Sequence, residues 1–269
     1  MKNIIVGIDF SESSNNALEL AKVMAKKSLA EITLLHTHMP TYVDPSIPIG
    51  LIDFNEGDLI KSLEKIARET QEQGIKTNIL VQYGSLLQSV NDLSEEGKAD
   101  FLVIGKSEPT GLIEKLLGST SQTLLNNIKI PMLVVPQNFF QKEIKRICVA
   151  SELEFQETNV WASILEISNF LNAGIDLLSI RTPDALDLNE DHGFLLDAQK
   201  TLRIGEEQIH IIEDENLQEG IKRYIKHHKM DLLVLNSHKR DFLEKLLAPS
   251  KSKSILSWSQ FPVLIMRHS

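Results

Sequence analysis

The sequence predicts an α/β protein with two tandem doubly wound domains, each a five-stranded parallel sheet flanked by helices. Three observations support this prediction. Short apolar runs rich in Ile, Val and Leu alternate with longer stretches that space apolar residues as helices do. The apolar runs show little polar alternation, which is typical of parallel strands covered on both faces. The order of the elements also repeats once along the chain.

The repeat is carried by residue pairs that lie 131 positions apart. Asp100 and Asp231 open the apolar runs "DFLVIG" and "DLLVLN". Pro131 and Pro262 stand in "IPMLVVP" and "FPVLIMR". Each half also carries the sequence Glu-Lys-Leu-Leu between its aspartate and its proline. This pattern indicates a duplication.

The elements of the first half follow from these patterns. The predicted strands are "NIIVGID", "EITLLHTH", "KTNILVQ", "DFLVIG" and "PMLVVP". The predicted helices are "SSNNALELAKVMAKKS", "GDLIKSLEKIARETQEQG", "LLQSVNDLSEEG" and "STSQTLLNNIK". The pattern begins again at "RICVAS", so we predict that the first domain spans residues 1–139 and the second spans 140–269.

Composition narrows the classes of function. The net charge of −9 disfavours a nucleic-acid surface, because phosphate backbones favour clustered Lys and Arg. The apolar runs are much shorter than the roughly 18 residues of a membrane span, and the N-terminus lacks the apolar region of a secretory signal. We therefore expect a cytoplasmic protein that binds neither nucleic acid nor a membrane. The single cysteine, Cys148, lies in the apolar run "RICVA", which predicts a buried thiol.

Polar residues follow the first predicted strand, where parallel sheets bind their ligands. Asp9 and Ser11 stand in "IDFSES". Ser11 is suited to cap the next helix by accepting a hydrogen bond from a free backbone N–H group. Asp9 is suited either to a second cap or to orienting a ribose hydroxyl or a metal-bound water.

The second strand ends in "HTH". His36 and His38 would point to the same face of the sheet, but no third ligand at convincing spacing follows, so we favour packed or capping histidines over a metal site. Thr37 would lie on the opposite face, where its backbone amide and carbonyl could meet an adenine edge.

The fourth strand leads into "GKSEPTGLIEKLLGSTS", residues 105–121. Gly105 closes the strand, and Gly118 precedes three hydroxyl residues that begin a helix, where backbone N–H groups and the helix dipole favour phosphate. The same segment is also a good helix start without any ligand. It is not a Walker A loop, because "GKS" begins the loop instead of ending it.

Taken together, "IIVGIDFSESSNNALELA", "ITLLHTH" and "GLIEKLLGSTSQTLLNNIKIPMLVVP" resemble the universal stress protein family, and the duplication resembles its tandem two-domain members. The resemblance implies an adenine nucleotide alpha hydrolase-like fold and pairing of the two domains along their last strands. For the nucleotide-binding branch of the family it implies ATP held by a Gly-xx-Gly-x9-Gly-Ser/Thr loop.

The resemblance assigns the loop residue by residue. The first glycine is Gly105 and the final Gly-Ser is Gly118-Ser119, but Glu108 stands at the middle glycine. The other implied nucleotide-binding positions are Ile8, Asp9, Thr37, Ile104, Thr120 and Ser121. Glu108 introduces a side chain and a negative charge near the polyphosphate, so we expect weaker binding unless Glu108 points to solvent, pairs with Lys106 or Lys115, or shares a metal with the phosphates.

The second half departs further from the family pattern. Glu152 replaces Asp9, and the loop equivalents are Asn236, Lys239 and Pro249-Ser250. Proline lacks an N–H group, and no glycine remains to admit phosphate closely. We therefore expect this half to be a structural or regulatory partner.

Two functions remain open from the sequence. The first is a stress-response regulatory protein that binds ATP, ADP or AMP in its first domain, with or without Mg²⁺. The second is an interaction module with vestigial pockets that recognises an unidentified protein partner. A homodimer is compatible with both. No general base, arginine finger or metal-ligand cluster accompanies the loop, so enzymatic activity would be at most a slow ATPase.

Overall fold

The computed structural model describes residues 1–38, 56–106, 127–139, 143–153, 161–183, 192–235, 255 and 259–266. Within them, no helix has the length and apolar character needed to cross a bilayer.

The first half alternates strands and helices as the sequence predicts. Its elements are β1 (Asn3–Gly7), α1 (Glu12–Ser28), β2 (Glu31–His38), α2 (Glu56–Gln71), β3 (Thr77–Tyr83), α3 (Leu86–Glu95), β4 (Phe101–Lys106) and β5 (Met132–Pro136). The predicted β1 is two residues too long, because Ile8 and Asp9 belong to the turn before α1. The helix predicted over "STSQTLLNNIK" lies almost entirely outside the described residues.

The second half repeats this order. Its elements are β6 (Arg146–Ala150), α4 (Trp161–Leu171), β7 (Gly174–Arg181), α5 (His192–Leu202), a 3-10 turn (Glu206–Gln208), β8 (Ile209–Glu213), α6 (Leu217–His228), β9 (Leu232–Leu235) and β10 (Val263–Ile265).

The described strands form one ten-stranded sheet in the order β3-β2-β1-β4-β5-β10-β9-β6-β7-β8. The five strands of each half are parallel to one another and occur in the same relative order. The halves meet where β10 pairs with β5 in the antiparallel sense, with Leu264 opposite Leu133. The predicted fold class and the pairing along the last strands are therefore confirmed.

Helices cover both faces of the sheet. Side chains of α1, α2, α4 and α5 pack on one face, and those of α3 and α6 pack on the other. Each apolar layer continues across the junction of the halves, because both contain residues of β5 and of the second-half strands. Cys148 is fully buried in this interior, as predicted. Burial raises the pKa of its thiol far above the ordinary value.

The repeated aspartates perform the same task in both halves. The Asp100 carboxylate accepts hydrogen bonds from the backbone N–H groups of Lys2 and Asn3, at 2.8 and 2.9 Å. The Asp231 carboxylate accepts from Lys145 and Arg146, at 2.8 and 3.0 Å. Each aspartate therefore holds the start of the first strand of its half. The duplication inferred from the sequence thus extends to individual hydrogen bonds.

This equivalence leads to a prediction about stability. Asp100→Ala and Asp231→Ala are each expected to lower the free energy of unfolding by about 1–2 kcal/mol, because each leaves two strand-entry amides without their charged acceptor. Urea denaturation of the two variants measures the effect. Asp92→Ala, at an exposed position of α3, is a matched control expected to change stability by less than about 0.5 kcal/mol. A large effect at only one of the two aspartates would contradict their equivalence.

The boundary between domains at residues 139 and 140 remains a prediction. Residues 140–142 lie outside the described part of the chain.

Candidate functional site

The sheet order reverses at the carboxyl end of β1, which lies between β2 and β4. The register places Val6 of β1 beside Leu34 and Val103. Just beyond, the backbone N–H of Ile8 donates to the Leu35 carbonyl at 2.9 Å. The ends of the three strands therefore meet at one edge, which is where open α/β sheets bind ligands. Five of the predicted site residues lie at this edge: Ile8, Asp9, Thr37, Ile104 and Gly105.

A polar turn joins β1 to α1. The Asp9 carboxylate oxygen Oδ1 accepts hydrogen bonds from the Ser11 backbone N–H at 3.0 Å and from the Ser11 hydroxyl. Ser11 is the N-cap of α1, and its Oγ accepts from the Ser14 N–H at 3.2 Å. Phe10, between them, has a left-handed φ of 62°. Asp9 and Ser11 thus hold the backbone geometry that starts α1 at this edge.

Gly105 lies directly against the first turn of α1. A Cβ atom at this position would be 2.2 Å from the Ser13 carbonyl carbon and 2.5 Å from the Ser14 nitrogen. Both serines are buried. Helix packing alone therefore requires a glycine at the end of β4. The glycine therefore has a structural explanation that does not depend on a ligand.

Thr37 and His36 lie on opposite faces at the end of β2. Thr37 is half-buried and lies opposite Gln82 of β3 in the sheet register. The His36 Nδ1 atom is 2.7 Å from the Ile8 carbonyl oxygen, which accepts a hydrogen bond when Nδ1 is protonated. This contact ties β2 to the turn that carries Asp9.

Four rings form a row along the same edge. Ring centroids are 5.5 Å apart for Phe10 and His36, 4.5 Å for His36 and His38, and 5.8 Å for His38 and Tyr83. Burial lowers the pKa of His36, which keeps this ring neutral to lower pH than usual. Within the described ranges no three His, Cys, Asp or Glu side chains gather as metal ligands would.

The remaining predicted loop residues follow β4 in the sequence. Glu108, Gly118, Ser119, Thr120 and Ser121 lie outside the described residues, as does Lys115. Their assignment to the nucleotide loop therefore stays a prediction.

At the carboxyl end of β6, the backbone follows the same path as at the end of β1, but the side chains differ. The Ser151 N–H donates to the Leu178 carbonyl at 2.9 Å, which matches the bond between Ile8 and Leu35. Leu153 has a left-handed φ of 58°, close to that of Phe10. Glu152 therefore occupies the place of Asp9, as the sequence predicts. The other substituted positions, Asn236, Lys239, Pro249 and Ser250, lie outside the described residues.

Two polar features were not predicted as structural contacts. Lys106, the last residue of β4, reaches the second half and donates to the Ser259 carbonyl at 3.1 Å. In the second half, the Asp176 carboxylate accepts from the Tyr224 hydroxyl at 2.8 Å and from Arg146 at 3.1 Å. The only sequence signal was a charged residue inside or directly after an otherwise apolar strand.

A model of the universal stress protein family matches residues 1–136 and 165–267. The universal stress protein A homolog of Haemophilus influenzae is 33% identical over 144 residues, which are 50% of this chain and 96% of that protein. Universal stress protein YxiE of Bacillus subtilis is 27% identical over 143 residues, which are 49% of this chain and 97% of that protein. Each relative thus corresponds in length to half of this chain.

A solved structure shares the fold of the complete chain. The crystal structure of a universal stress protein from Archaeoglobus fulgidus superposes with a TM-score of 0.70 at 18% identity. It covers 98% of this chain, and this chain covers 96% of it. The arrangement of two joined halves therefore also occurs in another protein.

Proposed function

We propose that this chain, which belongs to the universal stress protein family, binds an adenine nucleotide at the carboxyl edge of β1, β2 and β4. In this proposal the first half holds ATP, ADP or AMP, and occupancy regulates association with a protein partner during stress. The second half supports the first without binding a nucleotide of its own.

The observation that carries the proposal is the convergence of Asp9, Thr37 and Gly105 at the point where the strand order reverses. Asp9 supplies a carboxylate suited to a ribose hydroxyl. Thr37 lies at the strand end whose backbone groups suit an adenine edge. Gly105 lets the first turn of α1 pack against the end of β4, next to the start of the predicted phosphate loop. The positions of these residues at one edge of the sheet support the proposal.

Glu108 sets the expected strength of binding. Two like charges about 4 Å apart repel by about 4 kcal/mol at an effective dielectric constant near 20. That energy corresponds to roughly a thousandfold in affinity. Mg²⁺ shared between Glu108 and the phosphates would convert the repulsion into attraction. We therefore propose weak binding of triphosphate without Mg²⁺ and stronger binding with it.

The same residue favours a second candidate function. If Glu108 prevents nucleotide binding altogether, the protein is an interaction module that keeps the family fold and recognises a partner through its surface. The loss of loop glycines in the second half, with Pro249 in place of Gly118, supports this alternative.

Isothermal titration with ATP and AMP, with and without Mg²⁺, separates the two candidates. We expect saturable heat with the natural protein and about tenfold or greater tightening of ATP binding in Glu108→Gly without Mg²⁺. Glu143→Gly, at an exposed position shortly before β6, is the matched control and should leave affinity unchanged. Binding that emerges only in Glu108→Gly would support the interaction module, and no heat in either protein at millimolar ATP would exclude nucleotide binding.

A further inference from the structure

A groove lies at one end of the sheet, between α6 and the outermost strand β8, and basic side chains line its helical wall. We propose that this edge groove binds an acidic, extended segment of a protein partner. The segment would add to the outer side of β8 and place its carboxylates against α6. The groove contains no residue of the candidate nucleotide site, so the proposal does not depend on nucleotide binding.

The edge groove has a volume of about 690 Å³. On the β8 side its lining includes Ile212, which is half-buried, and the exposed Glu213 at the carboxyl end of the strand. On the α6 side it includes Arg223, Lys226 and His227, which are exposed and spaced so that they share one face of the helix. The groove therefore combines an apolar strand wall with a basic helical wall.

The charge of this helix face is reversed relative to the first half. The offset of 131 positions that relates the halves aligns α3 with α6. Buried positions agree in the two helices, since Val90 matches Ile221 and Leu93 matches Tyr224. Packing on the sheet therefore imposes the same pattern on both helices, and the exposed face is where they differ. The exposed residues of α3 and their equivalents in α6 are Asp92 and Arg223, Glu95 and Lys226, and Glu96 and His227.

The acidic residues of α3 are neutralised within the chain to a greater extent than the basic residues of α6. Both glutamates of α3 have lysine partners, which are Lys129 for Glu95 and Lys98 for Glu96. In α6, Arg223 pairs with Asp214, but no carboxylate in the described part of the chain pairs with Lys226. The helix dipole favours cations in the last turn of α6, but it acts equally on α3, whose last turn carries carboxylates. The positive charge in the edge groove is therefore available to an acidic ligand.

The backbone of β8 favours an extended occupant. Among the described strands β8 is outermost and pairs with β7 on its inner side. The Asp214 N–H donates to the Arg181 carbonyl of β7 at 2.9 Å. Because backbone groups alternate in direction along a strand, those of Ile212 also face β7 and those of Ile211 face outward. A peptide in extended conformation can pair with such outward groups as an additional strand would.

An acidic protein segment suits this surface better than a nucleic acid does. The net charge of −9 and the Glu213 carboxylate both repel a long polyanion. A peptide that alternates acidic and apolar residues would direct its carboxylates toward Lys226. Its apolar side chains would lie on the opposite face of the sheet, where Ile209 and Ile211 are half-buried. Its backbone would supply the N–H and carbonyl groups that pair with β8.

Fluorescence anisotropy with a fluorescein-labelled peptide that alternates glutamate and valine tests the proposal on the full chain without nucleotide. A peptide of the same composition, with the glutamates and valines in two separate blocks, is the ligand control. Lys226→Glu/His227→Glu gives α6 the residues that α3 carries at the equivalent positions. Lys226→Gln/His227→Gln removes the charge without reversing it. Lys61→Glu/Lys65→Glu, at exposed positions of α2, is the protein control and changes the net charge at least as much.

We expect the natural protein and Lys61→Glu/Lys65→Glu to bind the alternating peptide with affinities within about twofold of each other, and Lys226→Glu/His227→Glu to bind it about tenfold more weakly. Lys226→Gln/His227→Gln should lie between them. Equal affinity for the blocked peptide would overturn the extended segment. Unchanged affinity in Lys226→Glu/His227→Glu, with its fold verified by circular dichroism, would overturn the edge groove as the site, and no binding by the natural protein would overturn the proposal altogether.

Two other occupants would give different results. A labelled single-stranded oligonucleotide that binds more tightly than the peptide, and is lost in Lys226→Glu/His227→Glu, would assign the edge groove to a nucleic acid. A dimer of the natural protein that dissociates in the same variant, measured by analytical ultracentrifugation, would assign it to a second copy of this chain. Either result would overturn the proposal. Nucleotide binding is measured separately by calorimetry, so none of these outcomes affects the proposed function.

Discussion

Gly105→Ala is expected to lower the free energy of unfolding by about 3 kcal/mol, because the added methyl group would overlap backbone atoms that cannot rotate away. The new Cβ would lie 2.2 Å from the Ser13 carbonyl carbon and 2.3 Å from its oxygen. Relief requires α1 to move away from β4, which disturbs a buried interface. Urea denaturation followed by circular dichroism measures the loss. The same movement should weaken nucleotide binding, since α1 and β4 both border the candidate site.

Gly174→Ala provides the control for this substitution. A Cβ at Gly174 would meet only the Lys145 carbonyl oxygen at 3.9 Å, which is an ordinary contact. We expect a change smaller than about 1 kcal/mol there. Similar small effects at both glycines would show that α1 does not rest on the end of β4 as described.

Asp176→Ala is expected to destabilise the protein by about 3 kcal/mol, because it removes the acceptor at the centre of a buried network. The Tyr224 hydroxyl loses its carboxylate partner while the residue remains only 3% exposed. Loss of the Arg146 ion pair costs less stability, because the Arg146 side chain is 45% exposed and can be solvated by water instead. Burial and the bond to Asp176 raise the pKa of the Tyr224 phenol well above its ordinary value, so the hydroxyl stays a donor across the physiological range.

Tyr224→Phe separates the contributions within this network. It removes one donor and leaves the carboxylate paired with Arg146, so the expected loss is about 1.5 kcal/mol. Urea denaturation of both variants provides the comparison. A loss in Asp176→Ala no larger than that of an exposed aspartate, such as Asp92→Ala, would show that the network contributes little to stability.

The fold was largely predictable because its signals are local and repeated. Parallel strands buried on both faces read as apolar runs, and β2 has the bounds that "EITLLHTH" predicts. The pairs Asp100 with Asp231 and Pro131 with Pro262 fixed the equivalence of the halves. The end of β1 was less predictable, because Ile8 is as buried as a strand residue although it belongs to the turn before α1.

The positions of candidate-site residues could be predicted from the sequence where the residue lies at the end of a strand. Asp9, Thr37 and Gly105 come together because neighbouring parallel strands end at the same edge. The contact between Gly105 and Ser13 was not predictable, since the tightness of helix packing depends on the distance between α1 and β4. The sequence alone shows only a glycine in a plausible loop.

Sequence patterns did not predict contacts between segments that are far apart in the chain. Lys106 and Ser259 are separated by 153 positions, and their bond depends on how β5 meets β10. Asp176 and Tyr224 approach each other only because α6 covers the face of β7 that carries Asp176. In both cases the sequence shows a charged residue among apolar neighbours, but it does not identify the residue that this charge contacts.

Equilibrium dialysis against radiolabelled ATP with Mg²⁺ tests the central claim most directly, because it counts bound nucleotides per chain. We expect saturation at one nucleotide per chain, with the label displaced by excess unlabelled ATP. Two nucleotides per chain would contradict the assignment of binding to the first half alone. No saturable binding at millimolar ATP would contradict nucleotide binding itself.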